Sequence, residues 1–258
     1  MNIDIFIPVR LDSNRLPKKH LQLINEKPAL QNLIERMTNC KEIRHIIVCC
    51  TTDITDDELV NFLESKQIKF FRGNKKDILQ RFLDAAEKFD TDIIIDVEGD
   101  KIYTDPQYVD QLANRLKSTN VDFIIGNDSK INFNASNHFV HGLIPAGFKK
   151  SSLEKICKLK KTDDTETGYH EFFIKSPDVN FEFFKIETND FLNKIRLTLD
   201  YPEDLKLAEN IFTNLKSNFS KVQLIDLFKK DPELLKITEN VGNKWVQNYE
   251  KNKSKLYF

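Results

Sequence analysis

Five short, mainly apolar runs, at residues 3–7, 46–50, 68–71, 93–97 and 123–126, punctuate the first half of the chain, with helical patterns between them. Runs of this length and composition read as strands buried on both faces. Leu30, Leu33, Ile34 and Met37 recur at helical spacing after the first run, and Leu59, Val60 and Leu63 after the second, where Thr55 and Glu58 have the spacing of a capping box. Ile78, Leu79, Phe82, Leu83 and Ala86 make a third stripe. Asp105 and Pro106 open a fourth helix, with Val109, Leu112 and Leu116 facing inward. Strands that alternate with helices form a mostly parallel, Rossmann-like α/β sheet flanked by helices. Ligands of such sheets bind beyond the carboxyl ends of the strands. Here those ends follow Ile7, Cys50, Phe71 and Val97.

Past about residue 130 the alternation loosens. Residues 141–146, 180–186 and 196–199 read as strands, and 151–159, 166–175 and 202–215 as helices. The division this predicts is a core over 1–215 and a C-terminal helical extension over 216–258, with Trp245 and many phenylalanines as packing residues.

Charge removes one class of partner. Lys and Arg number 39 against 40 Asp and Glu, so no basic field exists to hold nucleic acid. No apolar run approaches the roughly 18 residues of a membrane span, and the N-terminal run is a strand rather than a signal peptide. Four cysteines without a C-x-x-C pair predict a reducing, cytoplasmic setting, in which the sequons at Asn134 and Asn218 carry no meaning. His138 and His141 lack the companions of a zinc site.

The segments at the strand ends carry the chemistry. After the first run comes Pro8-Val9-Arg10-Leu11-Asp12-Ser13-Asn14-Arg15-Leu16-Pro17-Lys18-Lys19, with Arg10, Arg15, Lys18 and Lys19 able to surround a triphosphate and Ser13 adding a neutral donor. A solvated basic loop has the same composition. Neither a P-loop nor a G-x-G-x-x-G is present. Thr52 and Asp53 follow the second run; Arg72, Gly73, Asp77 and Arg81 follow the third and offer donors and acceptors to a pyrimidine edge. Asp77 and Arg81 are also four apart, the spacing of an ordinary helical ion pair. Glu98-Gly99-Asp100 closes the fourth run, where a carboxylate suits a hard cation. Asp200 precedes a Pro-initiated helix, where a helix N-cap is the plain alternative.

The first of these segments resembles the P-x-R-x-x-S-x-R-L-P-x-K signature of the CMP-sugar synthetases, the 3-deoxy-manno-octulosonate and acylneuraminate cytidylyltransferases, and above all the spore coat polysaccharide biosynthesis protein SpsF group. Arg10, Ser13, Arg15, Leu16, Pro17 and Lys19 match it position by position, with Lys18 standing where glycine is usual. Residues 72–82 resemble the R-G-x-x-x-D-[VI]-L-x-R-[FY] stretch of the same group, and Thr165-Glu166 its acceptor-side segment. The resemblance implies a nucleotide-diphospho-sugar transferase fold and transfer of CMP from CTP to a small acidic acceptor in polysaccharide biosynthesis. It implies catalytic roles for Arg10, Arg15, Lys19, Asp100 and Asp200, with Mg²⁺ held by Asp100 and Asp200. Pro8, Ser13, Thr52, Arg72, Gly73, Asp77, Arg81 and Glu98 would contact substrate, and His170, Lys175 and Lys149 would neutralise the acceptor's acid group. Glu98 replaces the usual glutamine or threonine, and Lys101-Ile102 replaces a segment that normally carries proline. Homodimerisation is a further expectation by analogy. The competing readings are a glycosyltransferase on a similar sheet and a catalytically silent nucleotide-binding relative. Asp90-Thr91-Asp92, a D-x-D string, precedes its strand and so falls at the wrong end of the sheet for the first of these.

Overall fold

A computed structural model describes residues 1–126, 140–184 and 196–252. Strand β1 (Ile3–Pro8) leads through the hairpin β2 (Leu23–Ile24) and β3 (Lys27–Pro28) into α1 (Ala29–Met37). Asn25 and Glu26 turn that hairpin with φ of 51° and 65°, the paired left-handed conformation of a two-residue type I′ turn. Then follow β4 (His45–Thr51), α2 (Asp57–Ser65), β5 (Phe70–Gly73), α3 (Ile78–Lys88), β6 (Ile93–Asp96), α4 (Pro106–Ser118) and β7 (Phe123–Ile125). The later elements are α5 (Val140–Leu143), β8 (Ala146–Lys149), α6 (Lys150–Leu159), α7 (His170–Lys175), β9 (Phe181–Phe183), α8 (Pro202–Leu215), α9 (Lys221–Lys230), α10 (Glu233–Lys236) and α11 (Gly242–Asn252).

Among the described residues the main sheet has seven strands in the order β5-β4-β1-β6-β8-β7-β9. All run parallel except β8, which is antiparallel to both neighbours. Side chains alternate across it, as the two-residue period of a strand requires. Ile5 and Ile7 join a core built with α1, α2, α4, α8 and α9, while Phe6 joins a second core with α3, α6 and α7. Strand order reverses between β1 and β6, and in open α/β sheets such a switch point is where ligands bind.

Several expected elements are displaced. The segment 141–146 is helical at first, and its strand begins only at Ala146; only Phe181–Phe183 of 180–186 is strand, with Ile186 outside the described residues, as are Asn134 and His138. Residues 196–199 form no regular strand, although the Leu199 N–H donates to the Asp100 carbonyl at 2.9 Å. The helix expected over 166–175 starts at His170. Thr55 and Glu58 make no capping box: Asp53 caps the turn before α2 by accepting from the Thr55 N–H at 3.0 Å. The reason is that Asp56, fully buried, turns inward and accepts from the Leu11 N–H, the Thr51 N–H and the Thr51 hydroxyl at 2.8, 2.9 and 2.6 Å.

The segment beyond residue 215 packs on the first core through Phe219, Leu224, Phe228 and Leu234. Buried Arg36 staples it there, donating to the Ser217 carbonyl at 2.6 Å and stacking over Phe219 at 3.9 Å. No helix among the described residues is long and apolar enough to cross a membrane.

Candidate active site

A cleft of about 760 Å³ opens at the carboxyl ends of β1 and β6. Its floor is the loop after β1. Asp56 fixes that loop through the Leu11 N–H, and Gly99 lets the loop after β6 lie against it. A Cβ on Gly99 would stand 2.9 Å from both His20 and Val9. Lys18, in the position where glycine is usual, has φ 49° and ψ 36°. This left-handed conformation costs an L side chain roughly 1–2 kcal/mol and glycine almost nothing, which accounts for the usual residue.

Lys19 stands at the centre. Its ammonium donates to Asp100 Oδ2 at 2.8 Å and to Asp200 Oδ1 at 3.0 Å. Arg15 reaches the same Asp200 oxygen at 2.6 Å, and Trp245 Nε1 donates to Asp200 Oδ2 at 2.8 Å. Two carboxylates a hundred positions apart thus meet over the basic loop. Asp200 is not the N-cap of α8. Asp204 satisfies the backbone there, accepting from the N–H groups of Asp200 and Tyr201, each at 2.8 Å, which leaves the Asp200 carboxylate to the cleft.

The two carboxyls differ electrostatically. Burial pushes Asp200 upward, but Lys19, Arg15 and Arg196 outweigh it and hold the group well below the usual carboxylate range. Burial also raises Asp100; Lys19 opposes this, Asp200 and Glu98 add to it, and the net direction is upward. Burial would lower Lys19, yet the two aspartates raise it, so it remains a cation. His20 is buried against the Gly99 carbonyl, and burial brings it down to about 3, so it is a neutral packing residue.

The other cations are also partnered. Arg10 pairs with Glu166, and Glu98 pairs with buried Lys101. The two departures from the family pattern noted at Glu98 and Lys101 therefore compensate one another. On the wall formed by α7, Asp96 Oδ2 receives the Tyr169 hydroxyl and His170 Nε2, both at 2.7 Å. Helix α11 contributes Trp245, Asn248, Tyr249 and Asn252 to the lining.

The cleft therefore gathers Pro8, Arg10, Ser13, Arg15, Lys19, Arg81, Glu98, Asp100, His170, Lys175 and Asp200. Thr52, Arg72, Gly73 and Asp77 do not line it. Thr52 is exposed, and Arg72 is spent on the Thr51 and Asp53 carbonyls at 2.9 and 3.0 Å. Gly73 is covered by the Arg81 side chain. Asp77 caps α3 through the Gln80 N–H at 3.1 Å and pairs with Lys160, not with Arg81. Lys149 lies toward the amino end of β6, beside Ile93, and donates to the Thr119 carbonyl at 2.9 Å, away from the cleft. Sequence reasoning missed Asp96, Tyr169 and the inward role of Trp245; a sole tryptophan in a charged helix was the available signal.

The mostly parallel seven-stranded sheet flanked by helices has the nucleotide-diphospho-sugar transferase fold of nucleotidyltransferases. A cytidylyltransferase from Leptospira borgpetersenii superposes with a TM-score of 0.79 at 26% identity, covering 91% of this chain and 97% of that one. CMP:2-keto-3-deoxy-manno-octonic acid synthetase superposes at 0.65 with 16% identity, covering 83% of this chain and 99% of that one, and shares the fold. The cytidylyltransferase family profile matches residues 5–224, so the chain belongs to the cytidylyltransferase family, whose members are CTP-dependent nucleotidyltransferases. It is 23% identical over 242 residues to the spore coat polysaccharide biosynthesis protein SpsF of Bacillus subtilis, covering 90% of this chain and 97% of that protein. It is 28% identical over 257 residues to a protein of Methanocaldococcus jannaschii, covering 97% and 100%. The 3-deoxy-manno-octulosonate cytidylyltransferase of Pelobacter propionicus matches over 119 residues at 31% identity, covering 45% of each.

Proposed function

We propose that the cleft transfers CMP from CTP to a small acidic acceptor, with a magnesium ion held by Asp100 and Asp200 and release of pyrophosphate. The observation that carries this reading is the meeting of both carboxylates on one ammonium, Lys19, directly over the basic loop. Two hard oxygen donors around one cationic position fit a divalent ion. Among the described residues no group of three or more His, Cys, Asp or Glu side chains forms a cage. Mg²⁺ tolerates that, because it keeps waters and takes phosphate oxygens as its remaining ligands. When bound, the ion would offset charge on the α-phosphate.

The chain's own residues would do the rest by positioning and charge. Arg10, Arg15 and Lys19 would exchange their carboxylate partners for phosphate oxygens and stabilise charge building on the departing pyrophosphate. Ser13 would add a neutral donor.

The test is pyrophosphate release from CTP and Mg²⁺ across a panel of sugar acids, phosphates and phosphonates. Acceptor-dependent release supports the transfer. Release of a nucleoside diphosphate from a nucleotide sugar would point to glycosyl transfer instead, and nucleotide binding without either product to a silent relative. The D-x-D string offers glycosyl transfer no support: Asp92 accepts from the Asn2 N–H at 2.7 Å, at the amino end of β1 and β6.

A further inference from the structure

We propose that His170, oriented by Asp96, is the general base that takes the acceptor's proton, and that the acceptor oxygen is therefore a hydroxyl of a sugar acid rather than a phosphate or phosphonate oxygen. This rests on the CMP-transfer reading above. The geometry is that of an oriented imidazole. Asp96 is completely buried at the carboxyl end of β6. Its Oδ2 accepts from the Tyr169 hydroxyl and contacts His170 Nε2, each at 2.7 Å. Burial and the neighbouring Asp96 both hold Tyr169 in its neutral, donating form. A carboxylate that already accepts from Tyr169 has nothing to donate, so the proton on Nε2 belongs to histidine. That fixes the tautomer and leaves the lone pair on Nδ1.

Nδ1 makes no hydrogen bond among the described residues, and the ring lines the cleft with its side chain 13% exposed. Phe123 and Tyr169 flank it at ring-centre distances of 5.9 and 4.2 Å, so its orientation is set by packing as well as by Asp96. Asp96 Oδ1, buried, has no hydrogen-bond partner, so this carboxylate retains capacity to stabilise an imidazolium. A histidine in the cleft wall, held by a buried carboxylate on one nitrogen and with the other left without a hydrogen bond among the described residues, has the parts that general-base catalysis requires.

The step balances. The acceptor oxygen forms a bond to the α-phosphorus as its proton passes to Nδ1. The bond from the α-phosphorus to the bridging oxygen breaks, and pyrophosphate leaves with that electron pair. A phosphate or phosphonate acceptor is already anionic at neutral pH and has no use for such a base.

The experiment compares wild type with His170→Gln and His170→Ala. The acceptors are 3-deoxy-manno-octulosonate, N-acetylneuraminate, glycerol phosphate and 2-aminoethylphosphonate, with CTP affinity measured in parallel. Glutamine keeps a donor for Asp96 but is not a base, so a purely structural role would survive it. The expected result is turnover with a sugar acid that falls roughly 10²–10⁴-fold in both variants, with CTP affinity unchanged. Added imidazole should restore part of the turnover of His170→Ala. Turnover of His170→Gln within about fivefold of wild type would overturn the assignment, as would wild-type activity confined to the phosphate or phosphonate. Absence of pyrophosphate release by wild type with every acceptor would instead overturn the transfer reading on which the base depends. An acceptor-independent check is the ¹⁵N spectrum of His170 at neutral pH, identified by its loss in His170→Gln. A protonated Nε2 with a bare Nδ1 is required, and the opposite tautomer refutes the proposal.

Discussion

Replacing Lys19 by methionine removes the ammonium that Asp100 and Asp200 share, while keeping most of its apolar stem. At about 3 Å and an effective dielectric near 20, each contact carries roughly 5–6 kcal/mol of gross attraction. Most of this is offset by desolvation, and removing one partner of a buried pair costs about 3–5 kcal/mol net. Asp200 retains Arg15, Arg196 and the Trp245 N–H, and Asp100 can take up a proton, so the lower end applies. A loss of about 3 kcal/mol should lower the melting temperature by roughly 6–12 °C in a chain of this size. The sign of the pH response follows from Asp100, whose folded value is raised. Such a group favours folding below its unfolded value and loses that benefit as pH rises through the folded one. Without Lys19 the loss is larger, so the deficit of the variant should shrink as pH falls through the raised range of Asp100. It should shrink also with added Mg²⁺, which would occupy the same field. Thermal unfolding of both proteins across pH and Mg²⁺ is the assay. A deficit under about 2 °C, or one that neither condition alters, would refute the reasoning.

Lys18→Gly should relieve the left-handed backbone and stabilise the fold by up to about 1 kcal/mol. The gain is partly offset by loss of the exposed pair with Glu58, and a lowered melting temperature would contradict it. Asp56→Ala strips the Leu11 and Thr51 N–H groups of their acceptor. It should cost about 3–5 kcal/mol by denaturant unfolding and weaken nucleotide binding through the loosened loop. Trp245 is the sole tryptophan and bonds Asp200, so its emission should change on titration with Mg²⁺ and CTP. The change should vanish in Asp200→Asn; a response that persists there would separate Trp245 from the proposed metal position.

The strand-helix alternation was legible because buried parallel strands are nearly continuous apolar runs, and a right-handed crossover leaves few ways to join them. Asp100 and Asp200 drew attention through the resemblance, because taken alone Asp200 reads as a helix cap before Pro202. What failed was local. Asp56 has the composition of a helix-entry residue, and only three-dimensional proximity shows it reaching Leu11. Asp77 and Arg81 have ion-pair spacing, yet Lys160, just past the end of α6, took the aspartate. Trp245 read as packing because nothing in a charged tail reveals which face meets the cleft. The Asp96–His170 contact joins residues 74 positions apart and leaves no periodic trace.

The contacts that build the cleft also span most of the chain. Arg15 and Lys19 find Asp200 across 185 and 181 residues, and Trp245 joins it from 45 further on. Closing such long loops costs entropy that only a finished sheet can repay, so these contacts form late. During folding, a chain with its first strands already paired would hold the cations without the anions that complete the cradle. Nucleotide would then act as a clasp between the two extremities, and its binding would register folding that is complete rather than folding under way.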